Sequence, residues 1–451
     1  MNTGIDAIAF DIAKLHLPIH SLAKARNIDP EKLEKGLGLL KMTLPDVHQD
    51  SVVFAANALS GLISQNNIQP HEIARIYVGT ESGIDNSKPI GSFLISLMEQ
   101  QFGDGSFSNC DTVDFTFACI GGVDALQNCL DYIRLSPDKK AIVITSDIAK
   151  YDLESTGEYT QGAGALAMLV TANPQIISFS NNWSVSTKGV FDFFKPHRTL
   201  QKSDITGNSA NQEWFGNREA EIAIHKDQPV FDGQFSNQCY MERTLEAYQR
   251  YKNSNAVQGS LYEKWESIIM HLPYAYQGRR MFNELFALDA NIPLIAKYEE
   301  GYDAKLREIS KSDIYKDFVN QKLQPAEKAS SLIGNLYTGS VFMGLLSALS
   351  HHLEKGIDIT GKKFGFLAYG SGSKSTVFEG TIQSGWKEAV KKANLFETLA
   401  NSQEIGFDTY LSLHKKEQQS SLLQPQGEWI LKKIEKDNPN LIGARYYKWV
   451  E

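Results

Sequence analysis

The stretch DTVDFTFACIGGVDAL (111–126) starts as a strand and ends as a helix, and the change happens at Cys119. Apolar and polar residues alternate up to Phe117; Gly121 and Gly122 follow the cysteine, then apolar residues at helical spacing to about Ile133. Working outward, RIYVGT (75–80) is a strand that ends at Glu81, and AIVITSD (141–147) is a buried strand after the helix. IDAIAF opens the chain, VVFAANALSGLIS (52–64) has helical periodicity, and AGALAMLVT (163–171) is apolar without a clear period, as a further core strand would be. Strands alternating with helices predict an α/β layered fold.

The same order returns later in the chain. SIIMHLP (267–273) is a strand ending at His271, NLYTGSVFMGLLSALSHHL (335–353) is a polar turn running into a small-residue helix, and KFGFLAYGSGS (363–373) is a strand running into a Gly/Ser turn. Set side by side, Glu81 corresponds to His271, the Cys119 turn to the Asn335 turn, and AIVITSD to FGFLAYG. Two such halves, 1–190 and 191–451, would face one another across a pseudo-two-fold and bring their strand and helix ends into one cleft. The polar stretch 197–228 reads as a long surface excursion.

At 451 residues the chain has room for about three domains or one large duplicated α/β unit. Hydrophobic residues at 42% and charged residues at 22% exclude a disordered or fibrous chain. Lys plus Arg is 45 against 53 Asp plus Glu, a net charge of −8 with no long basic block. Binding to nucleic acid or an anionic membrane through the overall field is thereby disfavoured, and an anionic ligand would need a few local cations. No apolar run approaches the roughly 20 residues of a membrane span, and MNTGIDAIAFDIAKLHLP lacks the marks of a signal peptide, so a soluble cytoplasmic protein is expected. Cys110, Cys119, Cys129 and Cys239 form no C-x-x-C pair and have no histidine at zinc-ligand spacing; neither a metal site nor a disulfide framework is expected.

Several residues could carry chemistry. A thiol at a helix N-terminus feels the positive end of the macrodipole, which favours a thiolate at Cys119. Gly121 and Gly122 would let an acyl chain approach the backbone, and nearby N–H groups could hold an oxyanion; the alternative is a buried cysteine in a tight turn. Glu81, if it lies inside a cleft, would be a general base with a raised pKa, and otherwise an exposed loop residue, with Asp85 as a cap. His271 is either a site residue or a core histidine. Arg279 and Arg280 could hold a phosphate or be solvated. Asn335, Tyr369 and Ser371 sit in polar turns suited to bonding a carbonyl or thioester. Neither GTES nor YGSGS matches a phosphate loop.

Taken together and in order, GTESGIDNSKP (79–89), ACIGGVDAL (118–126), VITSDIAKY (143–151), TQGAGALAM (160–168), FDFFKP (191–196), VFDGQFSNQCY (230–240), HLPYAYQGRRM (271–281), GNLYTGSVFMGLLSAL (334–349) and YGSGS (369–373) resemble the hydroxymethylglutaryl-CoA synthases. The resemblance implies a thiolase-like fold of five layers, αβαβα, built from two similar halves. It implies Cys119 as a nucleophile acetylated by acetyl-CoA, Glu81 as the base that deprotonates the acetyl methyl, and His271 as the residue that orients and polarises the acetoacetyl-CoA carbonyl. Asn335 matches an acyl-pocket position, and Asp147 and Asp192 match supporting ones. Coenzyme A thioesters are then substrates, no resident cofactor is called for, and a homodimer serving the mevalonate pathway of isoprenoid biosynthesis is expected. Departures are Ile120, where an aromatic residue is common, Tyr276, where a lysine is usual, and a longer excursion at 197–228; the first two bear on the acyl pocket and the CoA contacts. Two other readings are a polyketide-branching relative that takes its acyl groups from carrier proteins, and a catalytically silent thiolase-fold binding protein. Retention of Glu81, Cys119 and His271 together argues against the second.

Overall fold

In the computed structural model, which describes residues 2–207, 218–297 and 299–451, the first-half strands line up in one sheet. They are β1 (Thr3–Ile12), β2 (Ile73–Gly79), β3 (Asp111–Phe115), β4 (Lys140–Ala149) and β5 (Gly162–Ala172), in the order β3-β2-β4-β5-β1. β2 runs parallel to β3 and β4, whereas β5 is antiparallel to β4 and β1. The rest of the sheet contains β6 (Ile177–Phe179) and β7 (Ser184–Thr187), which pair with second-half strands although they precede residue 190. The division between the halves thus falls before the boundary drawn from the sequence. Then comes a two-residue ladder of β8 (Phe193–Phe194) with β9 (Val230–Phe231). The second half continues with β10 (Ser267–Met270), β11 (Lys363–Gly370) and β12 (Lys374–Ile382), in the order β10-β11-β12-β6. β10 and β11 are parallel and β11, β12 and β6 antiparallel, so the pairing pattern of the first half returns. The junction runs through β6, which bonds to β1 on one side and β12 on the other.

Helices separate and cover the sheets. They are α1 (Ser51–Gln65), α2 (Gly121–Leu135), α3 (Gly233–Ser254), α4 (Gln277–Asp289), α5 (Gln324–Ile333), α6 (Ser340–Glu354) and α7 (Phe407–His414). One core holds α2, α5 and α6 between the inner faces, with Val123, Leu126, Val341 and Leu345 against Val143, Met168, Phe364 and Phe366. A second holds α1 on the outer face of the first sheet, and a third holds α3 and α4 on that of the second. The layers are thus αβαβα. Along β5, Leu166, Met168 and Val170 enter the middle core while Ala165, Ala167 and Leu169 enter the outer one. A strand buried on both faces has no polar side, which is why AGALAMLVT shows no alternation.

The excursion is partly ordered. Arg198–Gln201 pairs antiparallel with Glu221–Ile224, and a short helix, Lys202–Thr206, follows the first of these strands. Its stretch 208–217 lies outside the described residues.

Candidate active site

Cys119 is positioned by the turn between β3 and α2. Ala118 takes a φ of 41°, in the left-handed region, and this turns the chain sharply before α2 starts at Gly121. The equivalent turn before α6 contains Tyr337 at φ 42°, so each half spends one strained non-glycine residue at the same point. The two turns meet: a Cβ on Gly122 would come 2.5 Å from Thr145 Cγ2, 3.0 Å from the Thr338 carbonyl oxygen and 3.1 Å from Phe342. Gly121 likewise faces the Phe115 carbonyl, at 2.7 Å. The glycines therefore make room for protein, not for an acyl chain as the sequence suggested. The N–H groups of Ile120 and Gly121 are spent on the Phe117 and Ala118 carbonyls, both at 3.2 Å, so these two do not serve an oxyanion.

The Cys119 thiol donates to Glu81 Oε1 at 2.9 Å. Burial pushes the Glu81 carboxyl up to about 7, with the Lys195 charge opposing. Cys119 is also pushed up, first by burial and then by Glu81, so the pair shares a proton instead of presenting a free thiolate. The dipole argument for a thiolate thus loses to desolvation and a facing carboxylate. Cys129 is buried in α2 with its thiol held up by burial, as an inert core cysteine would be.

Asp147, fully buried at the end of β4, holds both halves of this arrangement. Its Oδ1 accepts from the Glu81 N–H at 2.7 Å and the Ser82 hydroxyl at 3.0 Å; its Oδ2 accepts from the Thr338 N–H at 3.0 Å and from the Thr338 hydroxyl. Asp192, also fully buried, accepts from the Tyr369 hydroxyl and the Gly372 N–H, both at 2.7 Å. Asp85 lies on the surface and caps its own turn, accepting from the Ser87 and Lys88 N–H groups at 2.7 Å.

A cavity of about 230 Å³ brings Cys119, His271, Asn335, Tyr369 and Ser371 together. His271, at the end of β10, is 2% exposed; its carbonyl accepts from the Tyr240 hydroxyl at 2.8 Å, and Ser340 at the start of α6 holds the next N–H at 2.7 Å. Burial drives its pKa down to about 3, so the imidazole is neutral. Asn335 Oδ1 accepts from the Tyr337 N–H at 2.8 Å, and its side chain also hydrogen-bonds Tyr151 on the cavity wall. Tyr369 stacks on Tyr240 with centroids 4.5 Å apart.

The structure separates the arginine pair. Arg279 makes a two-pronged ion pair with buried Glu327 at 2.7 and 2.5 Å and lies 3.8 Å over the Tyr276 ring. Arg280 is exposed at the cavity mouth, near Tyr274 and the Gly36 carbonyl. Tyr276 also donates its N–H to the Leu37 carbonyl at 3.0 Å, so the residue standing where a lysine was expected serves packing. Ile120 is fully buried in the middle core and does not line the cavity.

Sequence reasoning missed the aromatic wall. Tyr151, Tyr337, Phe193 and Phe231 surround Cys119, with Tyr151 5.6 Å from Phe231 and 6.3 Å from Tyr337. Tyr151 stands two residues past the end of β4, a site signal that only the fold makes visible. Lys195, in the FDFFKP motif, donates to the Glu81 carbonyl at 3.1 Å.

Two duplicated α/β halves around a buried cysteine, with a carboxylate on its sulfur and a neutral histidine across the cavity, define a thiolase-like condensing enzyme. Family models described as hydroxymethylglutaryl-coenzyme A synthase N terminal and C terminal match residues 1–175 and 223–433. The chain belongs to the hydroxymethylglutaryl-CoA synthase family. It is 30% identical to the hydroxymethylglutaryl-CoA synthase of Haloferax volcanii over 95% of this chain and 96% of that one, and 30% identical to that of Enterococcus faecalis over 91% of each. Among solved structures, MvaS in complex with 3-hydroxy-3-methylglutaryl coenzyme A is 27% identical with a TM-score of 0.82, covering 100% of this chain and 99% of that one. The curacin biosynthetic pathway HMG synthase, covering 100% of each chain, has a TM-score of 0.80 at 19% identity and shares the fold.

Proposed function

We propose that this enzyme condenses acetyl-CoA with acetoacetyl-CoA and water to give hydroxymethylglutaryl-CoA and CoA. The observation that carries the reading is the Cys119–Glu81 contact of 2.9 Å on the wall of a cavity that also holds His271. Glu81 takes the Cys119 proton as sulfur attacks the acetyl-CoA carbonyl, and CoA leaves with that proton. Ionised again, Glu81 removes a proton from the methyl of acetyl-Cys119, and the carbanion adds to the C3 ketone of acetoacetyl-CoA. Neutral His271 polarises that ketone by hydrogen bonding. Because its pKa is held near 3, it does not deliver the proton as an imidazolium. The proton gained by Glu81 goes to the new alkoxide. Water then cleaves the Cys119 thioester, its proton returning to sulfur, and the product leaves. The buried aromatic wall keeps water away until that last step. This chemistry calls for no resident cofactor, since the thioester itself activates the methyl.

The same reading carries a role in the mevalonate pathway, residence in the cytoplasm and a homodimer. Among the described residues β3 closes its end of the sheet with one neighbour, β2, which leaves an edge on which a second copy could pair. The test is Glu81→Ala. Acetyl-Cys119 should form more slowly, because Glu81 takes the thiol proton, and condensation measured from the acetyl-enzyme once formed should fall by about 10²–10⁴. Near-normal condensation by this variant would remove Glu81 from the mechanism.

A further inference from the structure

Lys195 follows β8, in the segment that brings Phe193 to the cavity wall. Its ammonium donates to the Glu81 carbonyl at 3.1 Å and lies 4.7 Å over the face of the Tyr337 ring. Neither Lys195 nor Glu81 is among the residues lining the cavity, which Cys119 reaches. Its surroundings are acidic or neutral. Facing the Glu81 carboxyl are Cys119 from the turn before α2, Asp147 from β4, Tyr151 beyond β4 and Tyr337 before α6; Lys195 is the cation of the group. His271, on the same cavity, is neutral. Among the described residues two carboxylates and a thiol, Asp147 and Cys119 buried and Glu81 half-buried, are thus gathered with one half-buried ammonium, clamped by a carbonyl and an aromatic face.

We propose that Lys195 is a positioning residue for the condensation step: it anchors the Glu81 backbone, and its charge keeps the Glu81 carboxyl available as a base. This rests on the function proposed above. The charge matters most once Cys119 is acetylated, because the thiol that donates to Glu81 Oε1 is then gone. Burial and Asp147 both favour the protonated form of Glu81, and Lys195 opposes them. A cation held by the backbone of the base itself also moves with it, so the pair keeps its geometry through the reaction.

The experiment loads Cys119 with acetyl groups from acetyl-CoA, then follows single-turnover reaction with acetoacetyl-CoA between pH 5.5 and 9 in the native enzyme, Lys195→Gln, Lys195→Met and Lys195→Arg. Glutamine keeps a donor for the Glu81 carbonyl and removes the charge. Without the charge the acidic limb should move up by about one pH unit, costing up to about ten-fold on its acid side and progressively less toward pH 9. Lys195→Met should show the same displacement with an added loss at every pH, and Lys195→Arg should return the limb to its native place. If Lys195→Gln keeps the native limb, or loses activity equally at all pH values, the electrostatic role is overturned. Should Lys195→Met fail to fold, Lys195→Gln and Lys195→Arg decide the matter alone. Failure of the native enzyme to form acetyl-Cys119 would count against the reaction itself, and is read separately from the position of the limb.

Discussion

At the scale of single residues, the site depends on groups whose burial sets their protonation. Glu81 is an acid whose pKa is raised to about 7, and its working form as a base is the ionised one. The sign follows: condensation should rise with pH and fall about ten-fold per unit on the acid side of its limb. That limb should lie higher in the acetyl-enzyme than in the free enzyme, because the thiol hydrogen bond that lowers the Glu81 pKa is gone. A pH–rate profile measured on acetyl-enzyme checks this, and a flat profile from pH 5 to 8 would contradict it. His271, neutral throughout that range, should contribute no limb of its own. His271→Ala should leave acetylation of Cys119 intact and weaken the use of acetoacetyl-CoA, as parallel assays of the two half-reactions would record.

At the scale of elements, α4 carries two arginines with different work. Arg279 is tied to Glu327, whose side chain is 5% exposed, while 28% of the arginine side chain stays in solvent. Burial holds the Glu327 carboxyl above its usual range despite the arginine, so on losing its partner it would take up a proton and limit the damage. Arg279→Ala should therefore cost stability at or below the ~3–5 kcal/mol typical of breaking a buried pair. A thermal melt should show this, with KM for the CoA substrates little changed. Arg280→Ala should do the reverse: an unchanged melt, a raised KM for CoA thioesters and an effect that shrinks with salt. The start of α2 supplies a further test. Gly122→Ala puts a methyl where Thr145, Thr338 and Phe342 already stand, and overpacking of this kind costs about 1–3 kcal/mol. Because α2 presents Cys119, the slower acetylation expected of a folded Gly122→Ala enzyme should exceed any change in its melting profile.

For the whole molecule, the strand–helix order and the correspondence of the Glu81 and His271 strands were legible because each segment carries its own periodicity and ends in a polar residue. Cys119, His271, Asn335, Tyr369 and Ser371 meet in one cavity, and Glu81 reaches the thiol, because each stands at such an end. What could not be read depends on partners remote in sequence. Arg279 looks like a phosphate ligand until Glu327 is seen beside it, and nothing in FDFFKP tells that Lys195 reaches the Glu81 carbonyl. The state of Cys119 was misjudged for the same reason, since a helix terminus is visible in sequence and a facing carboxylate is not. The space that Gly121 and Gly122 open is filled by protein, from Phe115 and Thr145 and, across the two halves, from Thr338 and Phe342.

The central claim is that Cys119, Glu81 and His271 act on two CoA thioesters in one cavity. The most direct measurement mixes the purified chain with acetyl-CoA and acetoacetyl-CoA, follows loss of the acetoacetyl chromophore, and identifies the product and the modified peptide by mass. The account predicts hydroxymethylglutaryl-CoA as product, one CoA released per turnover, and acetyl found on the peptide of Cys119 when acetoacetyl-CoA is withheld. A folded chain that leaves the chromophore untouched, or that carries its acetyl on Cys129 or Cys239 with Cys119 unmodified, would contradict it.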